Sequence, residues 1–303
     1  MIIYVYGDIF YSPARVLVNP VNIVGTMGNG LAYDFKRFFP TMYESYRELC
    51  HDDRFQVGQL LLYRSAHKWV LNFPTKRHFR ADSQLEYIED GLKKFVRTYA
   101  DQNITSVSFP ALGTGSGHLN WDEVRPLMEA YLAPLPISVF IHLFDDDTPF
   151  ANEQRNTRAM RSWLNGQPKI VSFKTFWKDL LKVVRSGADF HTLESHMPFE
   201  VVATEARGRQ RLSLKITPKR QDSIFVAETQ LRDLWQYIRR AGYILPQNLP
   251  AGLEEHADTI LALLGELSTM RPVQLATVNS DTIIGLHYIP PIDHKGRGHE
   301  IEL

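Results

Sequence analysis

Residues Val18 to Pro40 read "VNPVNIVGTMGNGLAYDFKRFFP". A β-branched run ends at Asn19-Pro20, three glycines follow at 25, 28 and 30, and no acidic residue appears until Asp34, inside an amphipathic segment. That order is strand, glycine loop, helix. Glycines let the backbone approach a ligand closely, and a helix starting directly behind them offers unpaired N–H groups to an anion. The stretch therefore predicts an α/β fold with a site for a phosphate-bearing small molecule.

The flanking sequence extends the alternation. Apolar, β-branched or aromatic runs at Ile2–Tyr6, Arg15–Asn19, Gln59–Tyr63, Trp69–Phe73, Ser106–Phe109 and Ser138–Leu143 read as strands. Helices are expected at Leu31–Phe39, Thr41–Cys50, Gln84–Tyr99 and Trp121–Leu132. Ser83 and Glu86 have capping-box spacing before the third. Asn120 is placed to cap the fourth, with Asp122 and Glu123 in its first turn. Helices flanking a mostly buried sheet follow.

From Asp145 the texture changes. "DDDTPFANEQRNTRAMRSWLNGQPK" is polar and lacks a strand period, so a boundary is expected near Asn165, with a helix over Glu153–Leu164 tied to either side. Beyond it, Phe173, Phe176, Trp177, Leu180, Leu181 and Val184 share one helical face. Strands at Phe199–Ala203, Arg211–Ile216 and Ser223–Val226 precede a helix at Thr229–Ala241. This is a second, smaller α+β domain.

Composition bounds the function. The chain has 303 residues, 44% hydrophobic and 22% charged, enough for two ordinary domains. Lys plus Arg equals Asp plus Glu at 34 each, so any polyanion contact must be local. Cys50 is the single cysteine, which excludes an internal disulfide and a thiolate-rich zinc site within one chain. The histidines at 51, 67, 78, 118 and 142 are scattered rather than paired, and no metal or cofactor is expected. "MIIYVYGDIF" lacks a basic region and a cleavage site, and no apolar run reaches membrane-spanning length, so a cytoplasmic location without membrane contact is the expectation.

The site signals sit at strand ends. Asp8 follows the first strand, in "YGDIF", where it either caps a turn or meets a ligand. Asn19 and Asn22 in "NPVN" either shape a turn or bond sugar hydroxyls. "FPALGTGSGHLNW" supplies a second glycine loop before the fourth helix. In an open α/β sheet ligands collect beyond the carboxyl ends of the strands, and two glycine loops with an acid there suit a nucleotide diphosphate. Neither loop has the Gly-Lys-Ser/Thr ending of a phosphate loop, and "GTMGNG" lacks the dinucleotide spacing.

"GDIF", "NPVN", "GNGLA", "NFPTK" and "PALGTGSGHLNW", in that order, resemble the macrodomains, ADP-ribose-binding α/β/α modules, and among them most the DarG branch, antitoxins that remove ADP-ribose from thymidine in DNA. The resemblance covers about residues 1–145. It implies a three-layer fold with a mixed central sheet over residues 1–150, while the change of texture sets a linker or connecting helix over 151–168 and a separate α+β domain over 169–303. It further implies that Asp8 holds the adenine amino group while the Ile9 backbone meets the ring. Asn22 would lie beside the distal ribose, with Asn19 near it. Gly28, Asn29 and Gly30 would surround the distal ribose and phosphates, and Gly113, Thr114, Gly115, Ser116 and Gly117 would cradle the diphosphate.

Lys76, in "NFPTKRHFR", turns a binder into a candidate enzyme. Pro74 sets the turn, and crowding by Arg77 and Arg80 would favour the neutral amine that a nucleophilic lysine requires. The resemblance implies such a lysine acting on the distal ribose, with Asn22 beside it. The related terminal glycohydrolases carry an acid where this chain has Gly117; His118, next to it, either shuttles a proton or is structural. The expected function is hydrolysis of an N-glycosidic bond between ADP-ribose and a DNA base. The rivals are a non-catalytic ADP-ribose reader and a hydrolase of ADP-ribosylated protein. In the second half, Arg207 to Arg220 carries six basic residues and no acid along an expected hairpin, a solvated face or a ribbon for nucleic acid or a partner. That hairpin and the following "ETQLRDLWQYIRRAGYI" are similar in outline to small winged modules. If the chain is an antitoxin, this half would hold a toxin ADP-ribosyltransferase.

Overall fold

The structure is a computed structural model that describes residues 2–143, 156–205, 212–218, 223–278, 281–293 and 300–302. It divides into two compact units, the first comprising 1–168 with 276–281 and 292–303, the second 169–275 with 282–291.

In the first unit the strands are β1 (Ile2–Tyr6), β2 (Val16–Val21), β3 (Leu61–Arg64), β4 (Trp69–Pro74), β5 (Ser106–Pro110) and β6 (Ser138–Leu143). They lie in the order β1-β6-β5-β2-β4-β3, parallel except for β3, with Glu300–Glu302 paired antiparallel beyond it. The mixed sheet expected from the sequence is present. Its helices are α1 (Gly30–Phe38), α2 (Pro40–His51), α3 (Leu85–Thr98), α4 (Trp121–Leu132) and α5 (Thr157–Asn165).

The strands read as continuous apolar runs because both faces are covered. Val16 and Val18 of β2, with Leu71 and Phe73 of β4, pack on one side with Ile88, Leu92 and Phe95 of α3 and Met128 of α4. Leu17 and Val21, with Val70, pack on the other side with Phe35 and Phe38 of α1, Tyr46 of α2, and Met160 and Leu164 of α5. Three layers result.

Three expectations change here. Ser83 does not cap α3: the cap position is Gln84, without a side-chain bond, while the Ser83 N–H donates to Gly117 O at 3.0 Å. Asn120 does cap α4, accepting from the Asp122 N–H at 3.0 Å. The helix expected over Glu153–Leu164 begins at Thr157 and belongs to the first unit rather than to a linker, because Met160 and Leu164 are buried in that unit's core. Residues 276–281 and 292–303 likewise cluster with the first unit, so the second is not the continuous span 169–303.

The second unit contains α6 (Phe173–Arg185), α7 (Glu228–Ala241) and α8 (Ala257–Gly265). Its antiparallel sheet runs Ile224–Ala227, Leu212–Pro218, Pro198–Glu205, Phe190–His191. Phe176 stacks on Trp235 at 4.4 Å between centroids, and the Tyr288 ring meets Trp235 edge-on at 5.2 Å. Of the basic run at 207–220, residues 207–211 and 219–220 lie outside the described residues.

Candidate active site

Each parallel strand of the first unit delivers a residue to one cavity of about 930 Å³: Tyr6 ends β1, Asn22 follows β2, Thr75 follows β4, Ala111 follows β5 and His142 lies near the end of β6. A hollow at the carboxyl ends of parallel strands is where an open α/β sheet leaves space and unpaired backbone groups.

Asn22 organises the first glycine loop. Its Nδ2 donates to Thr26 O at 2.6 Å, and its Oδ1 accepts from the N–H groups of Val24 at 3.0 Å and Thr26 at 3.3 Å. The Tyr46 hydroxyl donates to Asn22 O at 2.8 Å, anchoring the turn to α2. Asn22 lines the cavity, but its amide already holds the loop together. Gly28, Asn29 and Gly30 follow on the same wall. Asn29 occupies the cap position of α1 without a side-chain bond, which leaves the first N–H groups of that helix for a ligand.

The second loop is closed by the His118 N–H on Gly115 O and the Leu119 N–H on Gly113 O, each at 3.0 Å, and Gly113 has φ +73°. Among the described residues the N–H groups of Gly115, Ser116 and Gly117 make no hydrogen bond, and all three residues line the cavity with Gly113 and Thr114. Gly117 has no room for a side chain: a Cβ would stand 2.2 Å from Ser83 Oγ and 2.4 Å from Gly113 O. An acid at this position would push the loop open.

Lys76 is buried at 9% exposure on the cavity wall, and its Nζ donates to Ser116 O at 2.6 Å. Burial lowers its pKa below the ordinary lysine value, against the opposing field of Asp82. The expected cause, crowding by Arg77 and Arg80, is not the one found. Both arginines are exposed, their guanidinium carbons 5.7 Å from the Tyr87 ring centroid and 5.3 Å from that of Phe79, respectively.

Asp8 and Ile9 stand outside the cavity lining. The Asp8 carboxylate caps the short turn Ile9–Tyr11, accepting from the Phe10 N–H at 3.0 Å, and the Ile9 side chain is in the core. Asn19 is fully buried, donating from Nδ2 to Asn72 Oδ1 at 2.8 Å, and its own Oδ1 has no partner among the described residues. Cys50 is buried, and burial pushes its thiol up to about 11.

The sequence reading missed several residues of this wall. Tyr6, Trp121 and His142 lie on the cavity wall, and Phe79 is there with 44% exposure. The one signal available was position: each ends a strand, opens a helix or stands near the catalytic candidate. His142 is held neutral, its pKa lowered to about 4 by burial, with Nδ1 facing Gly7 O at 3.1 Å and Nε2 facing Ser108 Oγ at 3.4 Å. The carbonyl makes Nδ1 the protonated nitrogen. Asp82 was also missed; it bonds His118 Nδ1 at 2.7 Å.

Fold and cavity define a three-layer α/β/α module with a crevice lined by two glycine loops. Residues 18–128 match the family model of the Macro domain. This match lies within the first unit. The DNA ADP-ribosyl glycohydrolase of Thermus aquaticus is 38% identical over 139 residues, 45% of this chain and 39% of that protein. A DNA ADP-ribosyl transferase-DNA ADP-ribosyl glycohydrolase fusion protein of Thermosipho africanus is 37% identical over 158 residues, 46% of this chain and 41% of that one. The solved macrodomain of Mycobacterium tuberculosis DarG is 37% identical, with a TM-score of 0.45, over 47% of this chain and 97% of that one. The chain thus spans about two fifths of the length of the curated relatives it matches.

Proposed function

We propose that the first unit is an ADP-ribosyl glycohydrolase that releases ADP-ribose from a modified base of DNA. The observation that carries this reading is the buried amine of Lys76 in a crevice built for a diphosphate. A protein that only reads ADP-ribose has no need of such an amine. The names of the Thermus aquaticus and Thermosipho africanus relatives support the reaction and the DNA substrate. So does the exposed Arg77, His78, Phe79, Arg80 segment beside the cavity, which suits a phosphate backbone and a stacked base.

In this mechanism the phosphates take the N–H groups of Gly115, Ser116 and Gly117 and the open end of α1. That remote grip fixes the distal ribose against Lys76. Burial enlarges the fraction of neutral amine, so nitrogen attacks the anomeric carbon while the bond to the base breaks. The base leaves with the electron pair and takes a proton, and water then displaces the lysine. Asn22 acts by holding the loop under the ribose. Asp82 and His118, paired beside the lining residues Ser83 and Gly117, supply the proton that the departing base needs.

The Thermosipho africanus fusion joins a transferase and a glycohydrolase in one chain, which supports a role for this protein as a cytoplasmic antitoxin that holds a DNA ADP-ribosyltransferase through its second unit.

Lys76→Ala is expected to abolish release of ADP-ribose from modified single-stranded DNA while ADP-ribose affinity stays within about tenfold. Undiminished turnover would remove Lys76 from the mechanism. Turnover on ADP-ribosylated protein but not on DNA would reassign the substrate, and absence of calorimetric heat with ADP-ribose would end the reading altogether.

A further inference from the structure

The second unit has a positive face that the proposed hydrolysis does not use. Helices α6 and α7 carry Lys174, Lys178, Lys182 and Arg185, and Arg232, Arg239 and Arg240, against Asp179, Glu228 and Asp233. In a chain whose total charge is zero this is a local excess. Arg232 pairs with Glu228 at 2.6 Å and Lys182 with Asp179 at 2.8 Å. Arg239 donates only to a backbone carbonyl, Val171 O, at 3.3 Å. Among the described residues Lys174, Lys178, Arg185 and Arg240 have no acidic partner.

These charges line two hollows that share α6. One, of about 490 Å³, lies between the start of α6 and the second half of α7, with Phe173, Gln236 and the three arginines around it and Trp235 beneath. The Arg232 guanidinium sits 4.1 Å from the centroid of the Phe173 ring, and that ring is stacked on Trp177 at 6.2 Å. The second hollow, of about 570 Å³, follows α6 past Lys174, Trp177, Lys178 and Leu181 to Lys182 and Arg185. A helix of 13 residues carries such a track for about 20 Å.

We infer that this face of the second unit binds single-stranded nucleic acid, with the phosphates along the α6 lysines and the α7 arginines and an unstacked base against Phe173 and Arg232. The chemistry decides the class. Arg239 and Arg240, without carboxylate partners among the described residues, together with the positive end of α6, attract phosphate. An aromatic ring already layered with a guanidinium offers a platform for a base. The platform lies in a recess, and a base still paired in a duplex cannot reach it. This surface is formed by α6 and α7, and it binds independently of catalysis.

The test uses the full chain and a fluorescein-labelled, unmodified thymidine oligonucleotide of about 16 nucleotides, read by anisotropy. Wild-type protein is expected to bind at about 50 mM salt and to weaken steeply by about 200 mM. Lys178→Glu and Arg240→Glu, exposed positions without partners, should each weaken binding about tenfold and together reduce the salt slope by about 0.7 for each phosphate that is no longer neutralised. Both variants should keep the wild-type melting temperature and ADP-ribose affinity. No binding by the wild type at low salt, unchanged affinity in the double variant, or equally tight binding of a duplex of the same sequence would each overturn the inference. None of these results bears on the hydrolase reading, because the probe carries no ADP-ribose.

Discussion

Lys68 shows how a single side chain makes the first unit sensitive to pH. It is buried, and its Nζ donates to Ser12 O and Ala14 O, each at 2.7 Å. Burial, and secondarily Arg15, lowers its pKa to about 7. An unfolded lysine titrates near 10.4, so between about pH 7 and 10.4 the unfolded chain holds a proton that the folded chain has released. Folding stability therefore rises with pH through that window from this group. Denaturant titrations should show wild type gaining on Lys68→Met by at most about 1.4 kcal/mol per pH unit. Parallel pH curves for the two proteins would mean that Lys68 stays charged in the fold. Burial lowers the Lys76 pKa as well, with Asp82 opposing.

At the scale of elements, the packing of α3 on the sheet depends on one glycine. A Cβ on Gly91 would stand 2.2 Å from Phe73 Cζ, so the helix lies directly against the β4 ring. Gly91→Ala is expected to lower stability by about 1–3 kcal/mol in chemical denaturation, although alanine is the better helix former. A gain would show that Phe73 can turn aside. The same helix marks the limit of local reading. Asn120 was recognisable as a cap because it acts on its own helix. Ser83 had the same local credentials, but the fold ties its N–H to Gly117 and places its Oγ where a side chain at 117 would be. Strands β1 to β6 were legible to within a few residues since both sheet faces are covered and the apolar runs are unbroken, whereas the strands Met270–Thr277 and Ile283–Tyr288 were not expected.

For the whole molecule, the division into units changes what a truncation would do. A fragment of residues 1–150 lacks α5, whose Met160 and Leu164 are buried in the first unit and whose Leu164 carbonyl accepts from the Lys68 N–H at 3.0 Å. Burying two such side chains contributes about 3–6 kcal/mol. Residues 1–168 should therefore unfold at a distinctly higher denaturant midpoint than 1–150, and equal midpoints would show that α5 is dispensable. Among the described residues no helix is long and apolar enough to cross a membrane.

The sequence by itself determined the alternation of strands and helices, the two glycine loops and their place at the carboxyl ends of the strands, because these follow from periodicity and backbone freedom within short windows. It also singled out Lys76, through the family resemblance carried by "NFPTK" and its position after a strand. The tertiary structure alone decided how that amine is buried, since its partner Ser116 lies 40 residues away. It decided that His142 is neutral on the cavity wall, that Asp82 faces His118, and that Asn22 holds a loop while Asp8 caps a turn. Desolvation and distance are set by what the chain brings together from remote segments, and no local pattern of residues carries that information.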